Sequence, residues 1–260
     1  VESAPQTLLK AKQSTTQTFV SALQALNSKV SSLGDAATKA ATAASWSAWS
    51  ASSSATGATA TAGSTAQAGS LSFSVDAVAT GQVLLSAAVA DDGSLVPGVP
   101  TAVTVKAADG TLVTVSPTSG SLQDIAAALN AAADSGVKAT VVRVSGGTSP
   151  TYRLQLTGTT TGAAGSFEVY AGDSAAVTAG TATRVDTAQV RAASDASITL
   201  WKGTPQAQTF TQSSNTFTGL MTGVDVTVSA VTAAGAEPVT ITVAQDAAAV
   251  TSLASGLVAQ

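Results

Sequence analysis

The sequence predicts an α+β protein, mostly β, in which a long N-terminal helix precedes two β-rich domains, one inserted into the other. Apolar residues recur in steps of three and four over residues 8–44, and alternating apolar and polar runs separated by turn signals follow. A helical pattern returns at the end of the chain. We predict a helix over 1–49, one β domain formed by 50–92 and 188–245, a β domain over 93–187 inserted into it, and a returning helix over 246–260.

The N-terminal helix carries one apolar seam. Its positions are Leu9, Phe19, Leu23, Leu26, Val30 and Leu33, followed by Ala37 and Ala40, and most residues between them are polar. Steps of four and three are typical of a coiled coil. A helix of about 36 residues, ending near Ala44, is roughly 54 Å long at about 1.5 Å per residue. Because no small domain needs so long a surface helix, we expect it to lie against another helix.

The partner helix is predicted at the other end of the chain. Asp246 is a residue type that caps helices, and Val250, Leu253 and Leu257 follow at helical spacing. We therefore expect a helical hairpin whose second arm is cut short, so that the chain is a fragment lacking both termini. The alternative is a terminal helix that packs on the β domains.

Two tryptophans mark the end of the first helix. Trp46 and Trp49 are expected to form a hydrophobic plug where helix and sheet meet, the alternative being a ligand-binding pair. Residues 50–69, rich in Ala, Ser, Thr and Gly, are either an extended strand or a linker. Residues 71–78 then alternate with period two and predict a half-buried strand.

The middle of the chain predicts a compact module. Strands over 102–107 and 112–115 flank an Asp109-Gly110 turn, and Ser121 caps a helix that buries Leu122 and Ile125. Strands over 137–144 and 152–157 follow, with an edge strand at 166–170. From Asp195 onward the pattern is all strand, and we expect the strand at 71–78 to pair there.

Composition excludes several classes of function. The net charge of −4 provides no basic stripe for nucleic acid, and no apolar run approaches the roughly 18 residues that cross a bilayer. The absence of cysteine excludes disulfides and thiolate chemistry, and the absence of histidine excludes Ser-His-Asp triads. We therefore expect neither a nucleic-acid nor a membrane partner.

No group of residues predicts catalysis or a cofactor. Asp91 and Asp92 beside Gly93 indicate a turn more than a metal site. The Gly- and Thr-rich residues 158–165 lack the lysine of a P-loop. Asp173, Asp186 and Asp195 are predicted in loops without a visible partner. The expected catalytic, cofactor-binding and metal residues are none, and the protein is not expected to be an enzyme.

Four stretches resemble the flagellar filament cap family, also called hook-associated protein 2 or FliD. The third of them is also similar to the flagellin hook IN motif, which several flagellar axial proteins share. The stretches are APQTLL at 4–9 with VSALQALNSK at 20–29; AGSLSFSV at 68–75; SLQDI at 121–125 with NAA at 130–132, LQLT at 154–157 and TTGAAG at 160–165; and SSNTFTGL at 213–220 with GV at 223–224.

This resemblance implies a flagellar filament cap, exported to the extracellular tip of the bacterial flagellum. The helices would form a leg domain, and the two β domains, D2 and D3 of the family, a plate that self-associates into a ring. The implied partners are other copies of the chain, flagellin, the hook-filament junction proteins and, in some members, host or other surfaces. The alternatives are another axial protein, such as a junction protein or a flagellin outer domain, and a secreted surface adhesin.

Overall fold

A computed structural model describes residues 3–90, 102–146 and 150–258, and it contains a long helix and two β-rich modules with separate hydrophobic cores. The predicted fold class, a long helix followed by mostly β domains, is confirmed. The helices are α1 (Ser3–Ala41), α2 (Ala43–Trp46), α3 (Leu122–Ala131), α4 (Ser174–Thr178) and α5 (Ala247–Val258). The strands are β1 (Trp49–Ser53), β2 (Ala58–Ala62), β3 (Gly69–Ala77), β4 (Val83–Ser86), β5 (Val103–Ala107), β6 (Leu112–Val115), β7 (Val137–Arg143), β8 (Tyr152–Gly158), β9 (Phe167–Ala171), β10 (Thr183–Arg184), β11 (Asp186–Arg191), β12 (Ala196–Leu200), β13 (Gln208–Gln212), β14 (Thr216–Met221), β15 (Val224–Val228) and β16 (Val239–Gln245).

Helix α1 is 39 residues long and ends three residues before the predicted boundary. Several of its hydroxyl side chains donate to the carbonyl four residues earlier, as Thr15 does to Ala11, and so share the acceptor of a helical backbone bond. At its end, the Trp46 indole donates to the Ala40 carbonyl at 2.7 Å. Trp46 remains exposed while Trp49 packs against a β core, so only one of the two tryptophans contributes to the expected plug.

Strands β1–β3 and β12–β16 form what we call the split module. One sheet has the order β1-β16-β3-β12-β13, the other has the order β14-β15-β2, and both contribute side chains to one core. Residues 50–69 therefore form strands β1 and β2 and enter β3, and are not a linker. The predicted pairing of β3 with later strands is confirmed, because β3 is antiparallel to both β12 and β16.

Strands β4–β11 with α3 and α4 form what we call the middle module. Its two four-stranded sheets have the orders β10-β9-β5-β6 and β11-β4-β8-β7, and α3 packs on β7. Ser121 caps α3 as predicted, accepting a hydrogen bond from the Asp124 backbone N–H at 3.1 Å. Leu122, Ile125 and Leu129 of this helix are fully buried in the core of the middle module.

Three details differ from the sequence-based expectation. Strands β4 and β11, expected wholly or mainly in the split domain, join the middle module because β4 pairs with β8 and buries Leu84 there. Strand β9 was expected at an edge but lies between β10 and β5. Short α4 and the strands β4, β10 and β11 were not individually predicted. Asp91 and Asp92 lie outside the described residues, and the division into domains stays a prediction.

Candidate functional site

The predicted seam lies open along most of α1. Every described side chain from residue 4 to residue 35 is exposed, and seam residues Leu9, Leu23 and Leu26 are 71, 49 and 58% exposed. Phe19, Val30 and Leu33 are exposed in the same way. Fully burying one such side chain stabilises by about 1.5–3 kcal/mol. The seam is thus a surface on which a bound helix would gain stability.

Helix α5 covers the seam only at the last turns of α1. It begins at Ala247, directly after the predicted cap Asp246, whose carboxylate accepts the Ala249 backbone N–H at 2.8 Å. The two helices are in contact, and Val250 and Leu253 are half-buried. A shallow groove between them is lined by residues of both helices, namely Ser32, Asp35, Ala36, Lys39, Ala249, Ser252, Leu253 and Gly256, together with Ser45 of α2.

The contact face is rotated slightly from the predicted one. Ala36 and Ala40 are half-buried, whereas Ala37, which the seam pattern placed inside, is exposed. Small alanine side chains let α5 approach closely, and a turn earlier Leu33 is already exposed. The structure therefore brings Val250 and Leu253 to the last turns of α1 and leaves the larger seam residues uncovered. Leu257 lies further along α5.

The three aspartates for which the sequence showed no partner, Asp173, Asp186 and Asp195, all have one in the structure. Asp173 caps α4 by accepting the Ala176 backbone N–H at 2.8 Å. Asp186 forms an ion pair with Arg184 at 2.6 Å, and Asp195 accepts the Ala163 backbone N–H at 2.7 Å. Asp173 and Asp195 bond to backbone groups, which a residue pattern does not reveal, whereas the Arg184 partner of Asp186 is only two residues away in the sequence. Within 3–90, 102–146 and 150–258, no cluster of three or more potential metal-ligating residues occurs.

Two asparagines act as backbone partners in a way that the sequence did not signal. The side-chain amide of Asn215 accepts from the Ala79 N–H at 2.6 Å and donates to the Ala79 carbonyl at 3.0 Å. Asn130 makes the same pair of bonds with Ala139, at 3.0 and 2.8 Å. Each amide therefore substitutes for a neighbouring strand. Both residues lie in the stretches that carry the family resemblance.

Asp76 is the carboxylate with the clearest electrostatic role in the split module. It accepts hydrogen bonds from Lys202 at 2.6 Å and from Thr199 at 2.5 Å. Burial by itself would raise the pKa of Asp76, but the bonds from Lys202 and Thr199 and the Lys202 charge together outweigh this and lower the pKa. The ionised carboxylate is thus the form that the folded split module favours.

We expect Asp76→Asn to remove a small acid-sensitive part of the stability. Because the folded pKa lies below the unfolded value of about 3.9, this part is present above that value and is lost as the pH falls through the folded pKa. The group is partly exposed, so the loss is below about 1 kcal/mol. Urea unfolding at neutral and acid pH measures it, with Asp225→Asn on the exposed face of β15 as the control. Identical pH profiles for wild type and Asp76→Asn would contradict the expectation.

The described residues contain no helix that is both long enough and apolar enough to span a membrane. The fold consists of a long helix and two β-rich modules. Residues 1–82 match the family model described as the flagellar hook-associated protein 2 N-terminus, FliD_N. A search of curated protein sequences finds no match.

Solved structures of flagellar cap proteins share this fold. The FliD D1-D2-D3 domains from Escherichia coli align with 90% of this chain and 68% of theirs, at 24% identity and a TM-score of 0.72. The D2-D3 domains from the same organism align with 77% of this chain and all of theirs, at 26% identity and a TM-score of 0.60. FliD (HAP2) from Pseudomonas aeruginosa aligns with 78% of this chain and 90% of its own, at 23% identity and a TM-score of 0.56.

The predicted resemblance to the flagellar filament cap family, FliD, is confirmed by the family model over residues 1–82 and by the shared fold. The FliD family is structural and not enzymatic. The further likeness of residues 121–165 to the flagellin hook IN motif stays a prediction.

Proposed function

We propose that this protein caps the growing end of the bacterial flagellar filament. Copies of the chain associate through their β modules into a ring-like plate, while the long helices point towards the filament. The ring holds exported flagellin at the tip so that it folds and polymerises there instead of escaping. The location that follows is extracellular, at the flagellum tip, with flagellin and the hook-filament junction proteins as partners.

The observation that carries this proposal is the open seam of α1, together with the family match. A helix of 39 residues is about 58 Å long at about 1.5 Å per residue, and its exposed leucines lie on one stripe. Such a stripe suits packing against other helices, which is the contact that an assembly protein needs. The sequence contains no group of residues that predicts a catalytic function instead.

Deletion of the gene in the source bacterium tests the proposal. We expect unpolymerised flagellin in the medium and absent or stunted filaments on the cell, both restored by the wild-type gene. Immunoblots of the medium and electron microscopy of the cells measure these outcomes. Normal filaments would overturn the proposal. Normal filaments with altered surface attachment would favour the adhesin alternative.

A further inference from the structure

The split and middle modules are joined by two chain crossings that lie side by side. Thr80 on the outgoing crossing and Ser194 on the returning one exchange both backbone bonds, at 2.9 and 3.1 Å. The Arg191 guanidinium also donates to the Gly81 carbonyl at 2.8 Å. Two adjacent crossings by themselves form a narrow neck, about which two compact bodies can bend.

A third contact lies beside this neck, made by the loop over residues 159–165 of the middle module. The Thr161 hydroxyl donates to the Ser213 carbonyl at 2.8 Å. The Ala163 N–H donates to the Asp195 carboxylate at 2.7 Å. The Gly162 N–H donates to the Thr80 carbonyl at 3.3 Å. Three successive loop residues thus bond to three separate segments in or next to the split module.

The same loop is fastened to its own module. The Thr159 N–H and hydroxyl both donate to the Gly136 carbonyl, at 2.9 and 3.0 Å. The Gly158 N–H donates to the carbonyl of Gln82, a residue that is itself buried. Because the loop is hydrogen-bonded to both modules, a change in their relative orientation would have to break some of these bonds.

At Gly162 the loop packs closely against the split module, which favours one orientation of the two modules. Its φ of 91° is in the left-handed region, and a Cβ placed there would lie 2.6 Å from the Ser213 Cβ and 2.7 Å from the Ser213 carbonyl oxygen. Only glycine allows both the backbone conformation and this approach. The backbone of Gly162 therefore packs against Ser213 more closely than a residue with a side chain would allow.

We propose that residues 159–165 are an inter-module lock that holds the split and middle modules in one orientation, so that they move as a single rigid body. The lock uses shape at Gly162 and hydrogen bonds at Thr161 and Ala163. It does not depend on the proposed capping function, since it concerns the orientation of two modules within one chain. A self-associating surface built from both modules would need such an orientation to be fixed in advance.

The test is a distance measurement across the neck. The sequence contains no cysteine, so Ala127→Cys on α3 and Ala244→Cys on β16, both exposed, provide the only two spin-labelling sites. In the otherwise wild-type chain, we expect pulsed electron–electron double resonance to give one narrow distribution of the distance between the two spin labels. Gly162→Ala is expected to broaden the distribution and shift its mean, because the added methyl group displaces Ser213.

The matched control is Gly203→Ala. Gly203 has a φ of 85°, similar to that of Gly162, but a Cβ there meets nothing within 4 Å. This variant carries the same backbone strain without the clash, and we expect the distribution to stay narrow. Equal distributions for Gly162→Ala and Gly203→Ala would overturn the lock.

Gentler variants keep the test decisive if Gly162→Ala disturbs the fold. Thr161→Val keeps the side-chain shape and removes one donor, and Asp195→Ala removes the acceptor of the Ala163 N–H. Circular dichroism first establishes that both variants are folded. We expect each to broaden the distance distribution partially and the pair to broaden it more. An unchanged distribution in the folded double variant would also overturn the proposal.

Discussion

Leu23→Asp is expected to abolish filament assembly while leaving the folded chain almost as stable as wild type. Leu23 lies on the open seam and is 49% exposed, so a charge there meets water in the isolated chain. We expect the free energy of unfolding to fall by less than about 1 kcal/mol, the scale of surface and helix-propensity effects. A helix packed on the seam would instead have to bury the carboxylate, which is far more costly.

Gln24→Asp is the matched control for this variant. It introduces the same charge and the same helix propensity one residue away, off the seam. Urea unfolding compares the stabilities, and complementation of the gene deletion compares the filaments. We expect Gln24→Asp to restore filaments and Leu23→Asp not to. A large loss of stability in Leu23→Asp alone would mean that the seam packs on the β modules, and the helical hairpin expectation would be wrong.

Phe217→Ala is expected to lower the free energy of unfolding of the split module by about 3–5 kcal/mol, the range for deleting a buried aromatic ring. Phe217 is 1% exposed and packs in a core otherwise built mostly from valine and alanine. These short side chains are held by two facing sheets and are unable to close the cavity. Trp49 is the first residue of β1 and Trp201 directly follows β12, so tryptophan fluorescence during urea unfolding reports the stability of this module.

Phe210→Ala is the matched control, because it makes the same substitution in the same module at an exposed position. Phe210 is 39% exposed on strand β13, at the end of the five-stranded sheet. We expect a loss below about 1 kcal/mol, because little apolar area leaves the interior. Similar losses for Phe210→Ala and Phe217→Ala would mean that the split module has no tightly packed core around Phe217.

A residue pattern does not show which distant residues become neighbours in space. The acid-sensitive bond of Asp76 and the lock at residues 159–165 are two examples. The sequence predicted Asp76 as the polar side of a strand, which it is, but not that Lys202 lies beside it. It likewise predicted a Gly- and Thr-rich segment without function at 158–165. In both cases the partner is brought close by strand pairing between segments far apart in the chain.

Periodicity alone determined the local elements. Steps of three and four predicted α1 and its single apolar stripe, the Ser121 cap predicted the start of α3, and period-two alternation predicted β3, β15 and β16. These features depend on neighbours a few residues away, and so they can be recognised in the sequence. The expected pairing of the strand at 71–78 with later strands extended this to the predicted insertion of one module into the other.

Apart from the pairing of β3 with later strands and the hairpin of β5 and β6, only the tertiary structure decided which strands share a sheet. Alternation specifies which face of β4 or β9 is buried but not the strand that lies next to it, because any compatible edge satisfies the same backbone groups. The placement of β4 in the middle module, the interior position of β9 and the pairing of Asn215 with Ala79 follow from contacts made across long sequence separations. The extent to which α5 covers the seam was decided in the same way, by the packing of Ala36 and Ala40 against it.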